Sequence, residues 1–165
     1  MLGGKSVIMA GVCLRGDLNR PATTTADGKK EPPITAISVG RGTVISTNCT
    51  LTPPSRLSRG ERVFCPIRIG DNTFIGPETH ISAVSISSNC HIGANCVLMP
   101  FCIIKECCQI LDGTVVPGGM TVPPGSVVAG RPGRIVGEVP DGWGQGSGED
   151  WVEGGDLRGL VRSIK

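Results

Sequence analysis

The stretch ISSNCHIGANCVLMPFCIIKECCQILDGTVVPGGMTVPPGSVV, residues 86–128, has an aliphatic side chain at every sixth position. These residues are Ile86, Ile92, Leu98, Ile104, Ile110, Val116, Val122 and Val128. A period of six fits neither the 3.6-residue period of an α-helix nor the alternation of a simple strand. It indicates a short unit repeated along an axis, which is a solenoid of hexapeptides.

The same period extends upstream, with one step shortened by a residue between Ile81 and Ile86. The earlier members are Ile8, Leu14, Val39, Ile45, Leu51, Ile69, Ile75 and Ile81. Counting the aliphatic residue as position one, position four is mostly glycine or asparagine, which enter the left-handed backbone region at low cost. Position five is mostly Cys, Thr or Ser. We therefore expect each hexad to be a short strand and a tight corner, with positions one and five inside.

Such hexads predict a prism of parallel strands, in which successive coils stack at ~4.8 Å. A hexad alone buries little, whereas in a stack each aliphatic side chain contributes roughly 1.5–3 kcal/mol. Regular hexads with left-handed corners resemble the superfamily of left-handed parallel β-helices, and the expected handedness comes from that resemblance. The predicted fold is all-β, a single-stranded left-handed parallel β-helix with two loop insertions and a short C-terminal helix.

The predicted domain boundaries follow the hexads. Residues 1–138 form the β-helix, interrupted by polar, Pro-rich insertions at 19–36 and 52–68. Residues 139–165 form a Gly-rich linker and a short amphipathic helix, because Leu157, Leu160, Val161 and Ile164 have helical spacing. A helix this short is marginal alone, so a disordered tail is the alternative.

Composition narrows the classes of function. The 165 residues carry a net charge of +2, which gives no basic field for nucleic acid. No apolar stretch is long enough to insert into a membrane. The chain has 8 cysteines, and five of them fall at position five, so we expect free thiols that act as small hydrophobes. If three hexads form one coil, Cys90 and Cys108 lie one above the other.

A zinc enzyme is the first catalytic possibility, because Arg15-Gly16-Asp17 followed by Ile-Gly hexads resembles γ-class carbonic anhydrases. In that family three histidines bind zinc. The positions that match them here look like Thr52, Pro77 and Ser82, none of which can replace an imidazole. The chain contains only His80 and His91, too few for three ligands at each site of a symmetric trimer. We expect no metal and no other cofactor.

A hexapeptide-repeat acyltransferase is the second catalytic possibility, and His80 is its one candidate base. No nucleophile-and-base pair stands out in the sequence, so we expect no catalytic residue and no enzyme.

The 52–68 insertion is the predicted binding segment, since long loops on rigid scaffolds often carry binding residues. It contains Arg56, Arg59 and Arg62 against one acidic residue, together with Phe64. The alternative is a solvated arginine-rich loop in which Phe64 packs on the prism. Further candidate contacts are the aromatic residues Phe74, Phe101, Trp143 and Trp151.

Four segments in order carry a closer resemblance: VIMAGVCLRGDL, PPSRLSRGERVFCPIRIGDNTFIG, IIKECCQILDGTVVPGGMTVPPGSVVAG and GRPGRIVGEVP. Together they resemble the dynactin subunit 5 family over roughly residues 5–140. The resemblance implies a non-catalytic subunit of the dynactin pointed-end complex in the cytoplasm and cytoskeleton. Its implied partners are a second left-handed β-helix subunit, dynactin subunit 4, an actin-related protein and cargo adaptors.

Members of that family carry a further N-terminal segment, long enough for another coil, before the part that matches Val7. A truncated sequence and a lost coil are both open alternatives. In either case an uncovered first coil would leave unpaired backbone groups that a partner must cover.

Overall fold

The computed structural model describes residues 2–18, 27–28 and 35–140. Its regular elements are β-strands, and most of them stack in three parallel sheets that form the faces of a column. The first face contains β1 (Val7–Ile8), β4 (Val44–Ile45), β9 (Phe74–Ile75), β12 (His91–Ile92), β15 (Gln109–Ile110) and β18 (Ser126–Ala129), with β19 (Arg134–Glu138) antiparallel at its end. None of the described residues belongs to a helix with the length and apolar character of a membrane span.

The chain passes from the first face to the second and third in turn. The second face contains β2 (Cys13–Leu14), β5 (Thr50–Leu51), β10 (His80–Ile81), β13 (Val97–Leu98) and β16 (Val115–Val116). The third face contains β3 (Ile37–Val39), β8 (Ile67–Ile69), β11 (Ser85–Ile86), β14 (Ile103–Ile104) and β17 (Thr121–Val122). The remaining pair, β6 (Ser55–Ser58) and β7 (Glu61–Phe64), is an antiparallel hairpin outside the column.

The register confirms three hexads per coil. Ile92 pairs with Ile110, eighteen positions later. Ile75 pairs with Ile92 after seventeen, because the coil between them contains the shortened step seen in the sequence. Equivalent positions of successive coils therefore lie in rows along each face.

The core follows the predicted positions. The position-one residues from Val39 to Val128 are buried, and so are the position-five cysteines. Those cysteines, all free thiols, are Cys49, Cys90, Cys96, Cys102 and Cys108. Burial raises the pKa of Cys102 to about 12. A hydrogen bond with Cys108 and burial raise the pKa of Cys90, so Cys90 and Cys102 stay protonated and behave as small apolar side chains.

Left-handed corners end the hexads, as expected. Asn72 and Asn95 have positive φ values of 51° and 54°. Behind several corners a side chain from the next coil fills the space that a glycine leaves. Asp112 accepts a hydrogen bond from the backbone N–H of Ala94 at 2.8 Å, and Asp112 Oδ1 lies where a Cβ on Gly93 would be.

Both insertions leave the column at the same edge. The first lies between β2 and β3, and the second lies between β5 and β8. The edge between the second and third faces, formed by residues 52–66, 82–84, 99–102 and 117–120, is called the insertion edge below. The ladder resumes within the predicted second insertion, since Ile67 is already buried in β8. The predicted C-terminal linker and helix lie outside the described residues, apart from residues 139 and 140.

Candidate functional site

The second insertion is an antiparallel hairpin and not the irregular loop that its composition suggested. Strands β6 and β7 pair Ser55 with Phe64 and Ser58 with Glu61. The two residues between them, Arg59 and Gly60, have φ values of 51° and 82°. Positive φ at both central residues is the type I′ arrangement, which matches the twist of a tight hairpin.

The hairpin distributes its three arginines around its surface. Leu57 pairs with Arg62, so both lie on the face that also carries Phe64, whereas Arg56 lies on the opposite face with Val63. Arg59 occupies the turn. The three arginines are exposed, and Leu57 between them is 77% exposed. The hairpin therefore presents positive charge on all sides together with one large apolar side chain.

The base of the hairpin is fixed to the column. Pro53 and Pro54 are buried, and Phe64 is half-buried. The backbone N–H of Cys65 donates to the carbonyl of Pro54 at 2.7 Å. Arg56, Arg59 and Arg62 form no ion pair with another described residue. Their charge is therefore available to a partner, and Phe64 is half-buried where the hairpin joins the column.

Phe74 lies on the first face and is not an isolated exposed aromatic residue. Its ring stacks on His91 of the next coil, with ring centroids 4.9 Å apart and an interplanar angle of 13°. Both side chains are half-buried. Burial lowers the pKa of His91, so this imidazole is mostly neutral at pH 7 and packs as an aromatic ring.

Phe101 lies on the insertion edge, at position four of its hexad. It is half-buried, and its φ is 65°. Most other hexads have glycine or asparagine at this position. Trp143 and Trp151 lie outside the described residues, so their predicted contacts remain predictions.

The catalytic candidates are not brought together. His80 is exposed on the second face, whereas His91 lies on the first. Among the described residues no three His, Cys, Asp or Glu side chains are grouped as a metal site. Arg15 and Asp17 form an exposed ion pair at 3.0 Å, and the Arg15 hydrogen bond lowers the pKa of Asp17. This pair is a local surface contact.

Sequence reasoning missed two exposed apolar residues, Leu57 and Met99. The alternation in Ser55–Ser58 and Glu61–Phe64 around Arg59-Gly60 could have revealed the hairpin. Met99 had a weaker signal, namely an apolar residue at position two of its hexad, which is glycine or serine in several other hexads.

The fold and this surface define a hexapeptide-repeat protein of the left-handed β-helix class. A hexapeptide-repeat acetyltransferase from Vibrio cholerae is similar with a TM-score of 0.60 at 23% identity, covering 84% of this chain and 73% of that one. A hexapeptide transferase family protein from Anaplasma phagocytophilum gives 0.54 at 14% identity, covering 99% and 97%. At these identities the similarity shows the fold alone.

The chain belongs to the Dynactin subunit 5 family, whose sequence model matches residues 1–145. Dynactin subunit 5 of Dictyostelium discoideum is 37% identical over 85 residues, which are 52% of this chain. The match spans 35% of that relative's length. The family description names a subunit of an assembly, which agrees with the prediction that the chain is not an enzyme.

Proposed function

We propose that this chain is a non-catalytic structural subunit of the dynactin pointed-end complex. The observation that carries the proposal is the family match over residues 1–145. The geometry supports it, because a column with a closed aliphatic core and a projecting hairpin is suited to binding other proteins. The enzymatic alternative has less support, since the described candidates for catalysis lie on separate faces.

In that complex the chain binds a second left-handed β-helix subunit, dynactin subunit 4 and an actin-related protein. It helps dynein and dynactin recruit cargo adaptors and membrane cargo for transport along microtubules in the cytoplasm. The proposed contacts on this chain are Arg56, Arg59, Arg62, Phe64, Phe74, Phe101 and Trp151. Arg56, Arg59 and Arg62 are the strongest of these, because they are exposed and form no ion pair with the rest of the described chain.

Charge reversal tests the hairpin. In co-expression with the other pointed-end subunits, Arg56→Glu/Arg62→Glu should reduce co-purification of this chain at least tenfold. Tenfold corresponds to ~1.4 kcal/mol of binding free energy. The physical reason is that exposed arginines at an interface steer and orient a partner of opposite charge. Retention of the wild-type chain should also fall as salt is raised.

The matched control is Arg41→Glu/Arg134→Glu, which makes the same change in net charge at exposed positions outside the hairpin. This variant should assemble as the wild type does. Equal assembly of both double variants would disprove a role for the hairpin. Failure of the wild-type chain to co-purify would disprove membership in the complex.

A further inference from the structure

Beyond the hairpin, the insertion edge carries no charge in the next three coils. Its corners are residues 82–84 (SAV), 99–102 (MPFC) and 117–120 (PGGM). The other two edges of the same coils carry ionisable side chains, among them Asp71 and Lys105 on one and Glu78 and Asp112 on the other. The described corners of the insertion edge that follow the hairpin are therefore uncharged, whereas the hairpin and the preceding corner, with Arg15 and Asp17, carry charge.

The corners of this apolar part stack directly on one another. The backbone N–H of Gly119 donates to the carbonyl of Pro100 at 3.1 Å. A Cβ added to Gly118 would lie 3.8 Å from the Cβ of Met99. Met99 is 40% exposed, and the ring of Phe101 follows it at the same corner. The two apolar side chains therefore lie at the same corner of the insertion edge.

Phe101 is held in an unfavourable backbone conformation. It is the one aromatic residue among the described residues with positive φ, at a position where glycine or asparagine would cost less. Strained residues of this kind concentrate at functional sites. Glu78 and Cys107 adopt the same conformation at corners on the other edges, so the feature that distinguishes this corner is its aromatic side chain.

The hairpin and this corner lie within reach of one ligand. Two coil steps of ~4.8 Å separate the hairpin base from residues 99–102, which gives about 10 Å along the edge. About six residues of α-helix span that distance at ~1.5 Å per residue. Leu57 and Met99 would then be the apolar contacts at the two ends, with the arginines of the hairpin around the first.

We propose that one segment of a partner protein lies along the insertion edge. Acidic side chains of this segment face Arg56, Arg59 and Arg62, and its apolar side chains cover Met99 and Phe101. The charge of the hairpin selects the acidic end, and the uncharged corners select the apolar end. This inference rests on the proposed function, since the segment belongs to a protein that the pointed-end complex contains or recruits.

Site-specific cross-linking in the assembled complex tests the inference. A benzophenone amino acid is placed at position 57, at position 99 and, as a control, at position 111. Leu111 is 39% exposed, nearly as much as Met99, but lies on a different edge. Cross-links from positions 57 and 99 should map by mass spectrometry to one partner segment, about six residues apart if the segment is helical, with acidic residues nearer the first.

Products at positions 57 and 99 that map to different partner chains, or to a segment without acidic residues, would overturn the inference. So would the absence of a product at position 99. These results differ from a failure of the proposed function, in which the unsubstituted chain does not enter the complex at all.

A second variant separates binding from folding. Phe101→Asn should bind the cross-linked partner segment, made as a labelled peptide, at least tenfold more weakly while its melting temperature stays the same or rises. Leu111→Ser should bind like the wild type. Unchanged peptide affinity in Phe101→Asn would contradict the proposal.

Discussion

At the scale of single residues, the corners are stabilised by side chains that cross from one coil to the next. Asp112 reaches the backbone N–H of Ala94, and Asp71 reaches that of Arg41 at 2.7 Å. Each carboxylate occupies space that a Cβ would fill on Gly93 or Gly40. Backbone atoms of the next coil are also close, since a Cβ on Gly93 would lie 2.7 Å from the backbone N of Asp112. The glycine at position two is therefore required by the close approach of the next coil and its hydrogen bond, and not by a special backbone conformation.

Replacement of this glycine should be costly. Gly93→Ala would displace the Asp112 carboxylate and break its hydrogen bond, so we expect the free energy of unfolding to fall by about 1–3 kcal/mol. Chemical denaturation with a spectroscopic readout measures the change.

Gly16→Ala is the control, because nothing lies within 4 Å of the added Cβ. Gly16→Ala should change the free energy of unfolding only slightly. Adding Asp112→Ala to Gly93→Ala removes the collision with the carboxylate and leaves the one with the backbone N of residue 112, so the combined loss should be smaller than the sum of the two single losses. Simple additivity would contradict the shared-space explanation.

At the scale of elements, strands of successive coils interact through side chains on the outer faces as well as through the core. On the first face, Phe74 of β9 stacks on His91 of β12. The stack depends on a neutral imidazole, because burial disfavours the protonated form. The interaction between these two coils should therefore depend on pH.

The sign of this dependence follows from the lowered pKa of His91. The unfolded chain binds a proton at this residue more readily than the folded chain does, so acid favours unfolding. The free energy of unfolding should fall as the pH drops through the ordinary histidine range, near 6.5. Denaturation curves at several pH values between 7.5 and 5 measure this loss.

His91→Gln should have a shallower pH dependence over the same range. His80→Gln, an exposed histidine in the matching strand position on the second face, should keep the wild-type slope. If His91→Gln also kept that slope, the stacked histidine would not be the source.

The hairpin is the element that sequence analysis described least well. Its turn is Arg59-Gly60, and a non-glycine residue at positive φ is normally signalled by asparagine or aspartate. The arginine-rich composition therefore resembled a solvated loop. The sequence alone shows that the insertion contains Arg56, Arg59 and Arg62. The distribution of these arginines around two faces and a turn depends on strand pairing.

At the scale of the whole molecule, stability is a sum over neighbouring coils, and the coils are not equally buried. Leu2 and Ile8 of the first coil are 55% and 37% exposed, although their counterparts in the middle coils are buried. Less apolar area is removed from water there, so opening of the first coil costs less free energy.

Hydrogen exchange should show this gradient in the present chain. The amide of Met9, bonded to Ile45, should exchange at least tenfold faster than that of Gly93, bonded to Ile110. Mass-spectrometric or NMR exchange measures both. Equal protection would indicate that the column unfolds as one cooperative unit.

The hexad period alone determined the column, its inward positions and its corners, because each of these depends on residues within six positions of one another. Only the tertiary structure decided which corners are neighbours. Leu51 pairs with Ile81 thirty positions later, and Ile81 pairs with Leu98 after seventeen. Insertions and the shortened step change the sequence separation while the stacking of strands keeps coils in register. For that physical reason the hairpin, Met99 and Phe101 lie along one edge.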